Sequence, residues 1–315
     1  MRSGLSELPM RSDDLLRSAG APTEVLPEPS ALRFADGAAF RIEIPSVEGP
    51  AVLAAVLAEA GARGVTVNRV SQGSGAMLHT EAELREMSRM GADAGLEISL
   101  FVGPREEWGI SAMSRGSGSG AVEGGIRGMR QLRYAVEDVL RAVDAGIRGF
   151  LIPDLGLLKV LSDSQSAGHI PADVVWKVSI VVAPSNPATV SVLASLGADT
   201  INLPTDVTLA ELAEMRAVTG LPLDLYLEAP DGLGGVVRGE QLADIAAVAA
   251  PLYAKFGLRN SRALYPSGLH LEADAALIGR EKVRRAAIAL EWCERVGLVP
   301  DQSGPGAAGL GIPQV

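Results

Sequence analysis

The stretch "PLDLYLEAPD", residues 222–231, alternates strictly between apolar and polar side chains. On a β-strand successive side chains point to opposite faces, so Leu223, Leu225 and Leu227 share one face and Asp224, Tyr226 and Glu228 the other. In an antiparallel sheet the polar face could simply meet water. The flanking sequence instead alternates strands with Ala-rich helices, which predicts a parallel sheet covered on both faces. The acidic face must then point into a closed interior that supplies partners for it.

The same unit recurs on either side. "AEAGARGVTVNRVSQG" (58–73), "AVDAGIRGFLIPDLG" (142–156) and "ASLGADTINLPTD" (194–206) each join an Ala-rich helix, a Gly-containing turn and a short β-branched run. Eight strands are predicted, at 40–45, 65–70, 96–102, 149–154, 174–181, 200–204, 222–228 and 252–257, each followed by a helical pattern. Thr80–Glu83 and Thr208–Glu211 read as capping boxes that start two of the helices. Eight such units in about 250 residues, with no dinucleotide fingerprint after the first strand, predict an α/β (β/α)8 TIM-type barrel. The barrel is placed at 36–298. Residues 1–35 read as a loose N-terminal extension, and the Gly/Pro-rich 299–315 as a disordered tail.

Composition narrows the function. A net charge of −10 and a pI near 4.9 argue against nonspecific binding to nucleic acid or an anionic membrane. The single cysteine, Cys293, excludes an intrachain disulfide, a four-cysteine zinc site and a four-cysteine iron–sulfur cluster. Neither a signal-peptide core nor a run of ~20 apolar residues is seen, so a cytoplasmic protein is expected.

Parity applied to the other strands turns more polar groups inward. Glu43 points in from strand one, Asn68 from strand two, Lys177 and Ser179 from strand five, Asn202 from strand six and Lys255 from strand eight. Asp154, Asp206, Glu228, Arg259 and Asn260 fall at strand C-terminal ends, where barrel enzymes place their chemistry. Each charge would cost several kcal/mol to bury unpaired, so the set must pair, bind a metal or face a wet pocket. A structural ion pair between Asp224 and Lys177 or Lys255 is the plain alternative.

Candidate roles follow. Glu228, Asp206, Lys255, Asp224 and Tyr226 are the catalytic candidates. Arg259, Asn260, Arg238, Lys177, Asn202 and Asn68 are candidates for holding substrate. Glu43, Asp154 and Glu228 could ligate a divalent metal, Mg2+ or Mn2+ by the hardness of carboxylate oxygen. No nucleotide cofactor is expected. The Gly-rich loop at 232–235, with Arg238, Arg259 and Arg262, could seat an anionic group. The polar insertion after strand three ("VGPREEWGISAMSRGSGSGAVEGGIRGMRQ", 102–131) reads as a lid with Arg105, Glu106 and Trp108 at its stem. His270 is the one histidine placed to reach the mouth.

Three segments, "KVSIVVAPSNPATVSVLASLGADTINLPTDVTLAELAEM", "PLDLYLEAPDGLGG" and "YAKFGLRNSRALYPSG", resemble the U32 peptidase (collagenase-like) family, in particular a cysteine-poor, single-domain branch from bacteria. The resemblance spans about residues 40–295. It implies a barrel and a hydrolase. Asp224 and Tyr226 stand at the family's acidic and aromatic positions, while Glu228 replaces its usual histidine and the cysteines are missing. The leading expectation is therefore metal-assisted or acid–base hydrolysis of a small polar or anionic substrate, or of a short peptide, at the C-terminal barrel mouth. Lyase or isomerase chemistry through a buried lysine or carboxylate is the alternative, and a non-catalytic binding or assembly protein the third.

Overall fold

The computed structural model describes residues 11–22, 24–106 and 125–315. Eight parallel strands close into a barrel in sequence order: β1 (Phe40–Pro45), β2 (Arg69–Gln72), β3 (Glu97–Phe101), β4 (Gly149–Ile152), β5 (Val175–Val178), β6 (Thr200–Asn202), β7 (Leu223–Glu228) and β8 (Leu252–Phe256). Parallel pairing of β8 with β1, Ala254 opposite Ile42 and Lys255 opposite Glu43, completes the ring. The (β/α)8 prediction holds.

The described helices are α1 (Arg11–Ser18), α2 (Pro50–Arg63), α3 (Glu81–Ala94), α4 (Gly128–Asp144), α5 (Leu155–Ser166), α6 (Pro187–Ser195), α7 (Leu209–Arg216), α8 (Leu242–Ala249) and α9 (Glu272–Val296). Both predicted capping boxes form, at the N-termini of α3 and α7. Ile42, Ile44, Ile98, Leu100, Phe150, Leu223, Leu225 and Leu227 are buried beneath the helices, the outward parity set that the alternation required. No described helix is long and apolar enough to cross a membrane.

Strand two lies four residues later than predicted at its start. The alternation of Val65 and Val67 mimics a strand, yet pairing begins only at Arg69. Asn68 is therefore not an inward strand residue. It sits at the N-terminal end of the barrel, accepting from Ile42 N (2.9 Å) and donating to Ser303 O (2.9 Å).

The tail expected to be disordered instead closes the bottom of the barrel. Gln302 forms a bridge with Phe40, Ser303 N donates to Phe40 O, Gly306 N to Gly95 O and Gln314 N to Gly146 O. Its glycines serve turns rather than disorder, with Gly306 and Gly309 at positive φ, and the closest approach is made by glycines of the barrel. A Cβ on Gly95 would meet Gly306 N at 2.7 Å, and one on Gly146 would meet Gln314 O at 2.3 Å. The N-terminal extension is also tied down from Ser30 onward. Ser30 bonds Ala247 O and Ala250 O, and the Phe34 ring packs edge-on against Tyr253 at 5.4 Å.

One buried carboxylate outside the barrel interior staples two loops. Asp138 on α4 accepts from Met77 N (3.1 Å) and Gly103 N (3.3 Å), with Arg141 at 3.7 Å. Burial pushes its pKa up to about 6 despite those donors. Between about pH 4 and 6 the folded chain thus holds a proton that the unfolded chain has released, so stability falls as pH rises through that window. Asp138→Asn should remove about 2 kcal/mol of this pH-dependent change, read by urea unfolding from pH 4 to 7. An unchanged slope in the variant would contradict the assignment.

Candidate active site

The barrel interior is ionic where most such barrels are apolar. Glu43 on β1 lies at its centre. Lys177 Nζ from β5 is 2.5 Å from both Glu43 oxygens, Ser71 from β2 donates at 2.6 Å, and Arg69 Nη1 stands 3.1 Å from Oε2. The same Arg69 Nη1 reaches Asp224 Oδ1 at 3.1 Å, and Thr200 donates to Asp224 Oδ2 at 3.0 Å. Arg69 Nε is 2.6 Å from Glu97 Oε1 on β3, an ion pair whose alignment falls short of a hydrogen bond. The Arg69 guanidinium also lies 3.4 Å over the Tyr253 ring. Below it, Arg41 bonds Tyr253 OH, Ser303 Oγ and Ala308 O.

These groups are sealed from water, which fixes their ionisation. Burial works against the Glu43 carboxylate, but Lys177, Lys255 and Arg69 overcome it and hold its pKa well below the usual range. Burial likewise pulls Lys177 down while Glu43 opposes the shift. At a 2.5 Å separation we read the pair as ionic. Asp224 and Lys177 therefore sit in one structural network, in which Lys177 pairs mainly with Glu43 and stands 3.6 Å from Asp224.

Above this layer a cavity of about 470 Å3 opens at the C-terminal ends of the strands. Its floor carries Lys255, Tyr226, Asn202 and Ser71, and its walls include Phe101, Leu151, Ile180, Leu264, Tyr265 and Lys282. Lys255 is undercompensated. Lys177 and Ser71 occupy the near positions on Glu43 Oε1, which leaves Lys255 Nζ at 3.5 Å from it and 4.2 Å over the Tyr226 ring. Burial, then Glu43 and Asp224, push the Tyr226 phenol far up, so it stays protonated and able to donate. Asn202 is 1% exposed, and its Oδ1 has no hydrogen-bond partner among the described residues. A buried amide oxygen left unpaired at a cavity wall is a place for a ligand donor.

The remaining predicted site residues are engaged elsewhere. Glu228 accepts from Arg259 N (3.0 Å) and faces Arg285 at 3.6 Å. Asp154 caps α5 through Leu157 N and also holds Ile126 N. Asp206 is exposed. Arg238 is spent on the carbonyls of Val207 and Thr205, Arg259 pairs with Asp231, and Arg262 pairs with Asp274. Asn260 donates its backbone N–H to Asp231. The loop cluster expected to seat an anion thus neutralises itself. His270 is exposed. Arg105 stacks on Phe101 at 3.5 Å and donates to Gly73 O, while Glu106 pairs with Arg127. Trp108 and the 107–124 part of the expected lid lie outside the described residues.

Nor do the residues fit the expected metal. Glu43 is ringed by cations, Asp154 holds the Ile126 and Leu157 N–H groups, and Glu228 holds Arg259 N. Among the described residues no group of three or more His, Cys, Asp or Glu converges to hold an ion.

No family model matches the chain, and no curated protein matches it. Solved structures share its fold. A candidate fructose-1,6-biphosphate aldolase from Coccidioides immitis aligns with a TM-score of 0.50 and 9% identity, over 91% of this chain and 96% of that one. The homocysteine methyltransferase MmuM from Escherichia coli aligns at 0.45 and 14%, over 78% and 97%. The U32 peptidase Mk0906 aligns at 0.40 and 17%, over 67% and 74%. At such identities the likeness is one of fold alone. Membership of the U32 family is not shown.

Proposed function

We propose that the chain is an enzyme that takes a small anionic carbonyl compound into the barrel mouth and carries out lyase or isomerase chemistry there, using lysine rather than a carboxylate-bound metal. The observation that carries this reading is Lys255, a buried ammonium on the cavity floor whose nearest carboxylate is already shared with closer donors. A substrate carboxylate set against Lys255 restores the charge balance that Glu43 leaves incomplete. Electron density released next to that carboxylate would develop beside the Lys255 ammonium and the Tyr226 phenol, both fixed before the reaction begins. Asn202 Oδ1 would accept from a substrate hydroxyl or from a water bound beside the carbonyl. The lysine reading is favoured over metal-assisted hydrolysis because Glu43, Asp154 and Glu228 do not converge among the described residues.

The test is a thermal-shift screen of the purified protein against 2-oxo acids, their 2-hydroxy analogues, the uncharged amides and phosphate esters. Small 2-oxo acids should raise Tm and the amides should not. A response restricted to phosphate esters, or to Mg2+ and Mn2+, would overturn the reading.

A further inference from the structure

Of the four lysines in the sequence, three are buried at the barrel: Lys177, Lys255 and Lys282. The chain's other cationic positions are arginine, apart from the exposed Lys159. Arginine cannot give up its proton at ordinary pH, whereas lysine can. Lys177 is closed off by Glu43, and Lys255 is assigned above to holding the anion. Lys282 remains.

Lys282 comes from α9 rather than from a strand. The helix lies close on α2, where a Cβ on Gly279 would meet Val56 at 2.9 Å, and its Ile278 and Lys282 line the cavity. Lys282 is 2% exposed and donates to Pro45 O at the end of β1 (2.7 Å). No carboxylate lies within 4.0 Å of it among the described residues. The nearby Glu48 has both oxygens committed, to Gly73 N and Ser74 N. A buried ammonium with one hydrogen bond and no counter-ion is costly, and shedding the proton removes that cost.

We infer that Lys282 is the nucleophile of this site, its Nζ condensing with the carbonyl carbon of the anionic substrate to form a Schiff base. This assignment rests on the lysine-based function proposed above. The neutral amine's lone pair makes the C–N bond as the carbonyl π pair moves to oxygen. The nitrogen gives a proton to that oxygen, a second proton completes a water leaving group, and the nitrogen lone pair expels it. Overall, carbonyl plus ammonium gives iminium plus water. The iminium then accepts the electron pair of an adjacent C–C or C–H bond, which defines aldol-type cleavage, dehydration or isomerisation. Hydrolysis of the imine returns the amine. The Ser46 and Tyr265 hydroxyls, 2.6 Å apart and lining the same cavity, are available to move protons. Electrostatics agree with the geometry. Burial, opposed by Glu48 and reinforced by Lys255, brings the Lys282 pKa down to about 7.

Reductive methylation of the full-length native protein tests this without knowledge of the substrate. Formaldehyde is itself a carbonyl that condenses only with neutral amines, and cyanoborohydride delivers hydride to the resulting iminium. Peptide mass mapping at pH 7 should show Lys282 modified at least about tenfold faster than Lys159, despite its burial, because an ordinary lysine is almost wholly protonated there. Faster modification of Lys255 would overturn the assignment and leave a lysine-based function standing. If neither buried amine outpaces Lys159, the assignment fails, and the screen against 2-oxo acids decides the proposed function independently.

Discussion

Arg69→Met is expected to destabilise the barrel by about 3–5 kcal/mol, as removing one partner of a buried ionic cluster does elsewhere. Arg69 is the cation common to Glu43, Glu97 and Asp224. Among the described residues, its loss leaves Glu97 without an ion-pair partner and Asp224 with Lys177 at 3.6 Å. Methionine fills most of the volume, so the effect isolates charge from packing. Equilibrium urea unfolding reads it directly. As a surface control, Lys159→Met breaks the exposed pair with Asp163 and should cost about 0–1 kcal/mol. A loss below about 1 kcal/mol for Arg69→Met would mean that the interior relaxes around the missing charge, contrary to its sealed geometry.

Removing residues 301–315 should have a comparable or larger effect. The deletion strips Arg41 of Ser303 Oγ and Ala308 O, Asn68 of Ser303 O, and Glu97 of Gly311 N. Each buried polar group left unpaired costs about 1–3 kcal/mol. Together they should lower Tm by roughly 10 °C or more for a chain of this size. The drop should persist at high salt, because the lost contacts are hydrogen bonds within the fold rather than surface charge pairs. A truncated chain with unchanged Tm would show that the tail only rests on the barrel.

Much of this was legible in the sequence because a period-two pattern is hard to disguise. The alternation in "PLDLYLE" placed Asp224 and Tyr226 inside the barrel, and the same parity placed Glu43, Lys177, Asn202 and Lys255 there. The same test reads Glu97 and Ser99 inward from "LEISLF", and Arg69 and Ser71 from "RVSQ" once β2 begins at Arg69. The Val65/Val67 alternation obscured that start. Strand ends were less informative. Asp154, Asp206 and Glu228 lie near the mouth by position, yet whether a terminal carboxylate serves chemistry or ties a loop depends on which N–H groups stand beside it. Lys282 left a fainter trace. Ala275, Gly279, Lys282 and Ala286 follow helical spacing on a buried stripe, so a lysine stands where an apolar residue is expected. The tail was misread because turns at positive φ, as at Gly306 and Gly309, and disorder both select glycine.

The most direct test of the proposed site is calorimetric titration of pyruvate into the wild type and Lys255→Met, with thermal unfolding of both to confirm the fold. If Lys255 holds the substrate anion, the variant should lose at least about 30-fold in affinity, the scale for removing one partner of a buried charge pair. The wild-type Kd should weaken only modestly with salt, since the pair is shielded from solvent. Equal affinities in the two proteins, or no binding of pyruvate to the wild type, would contradict the account.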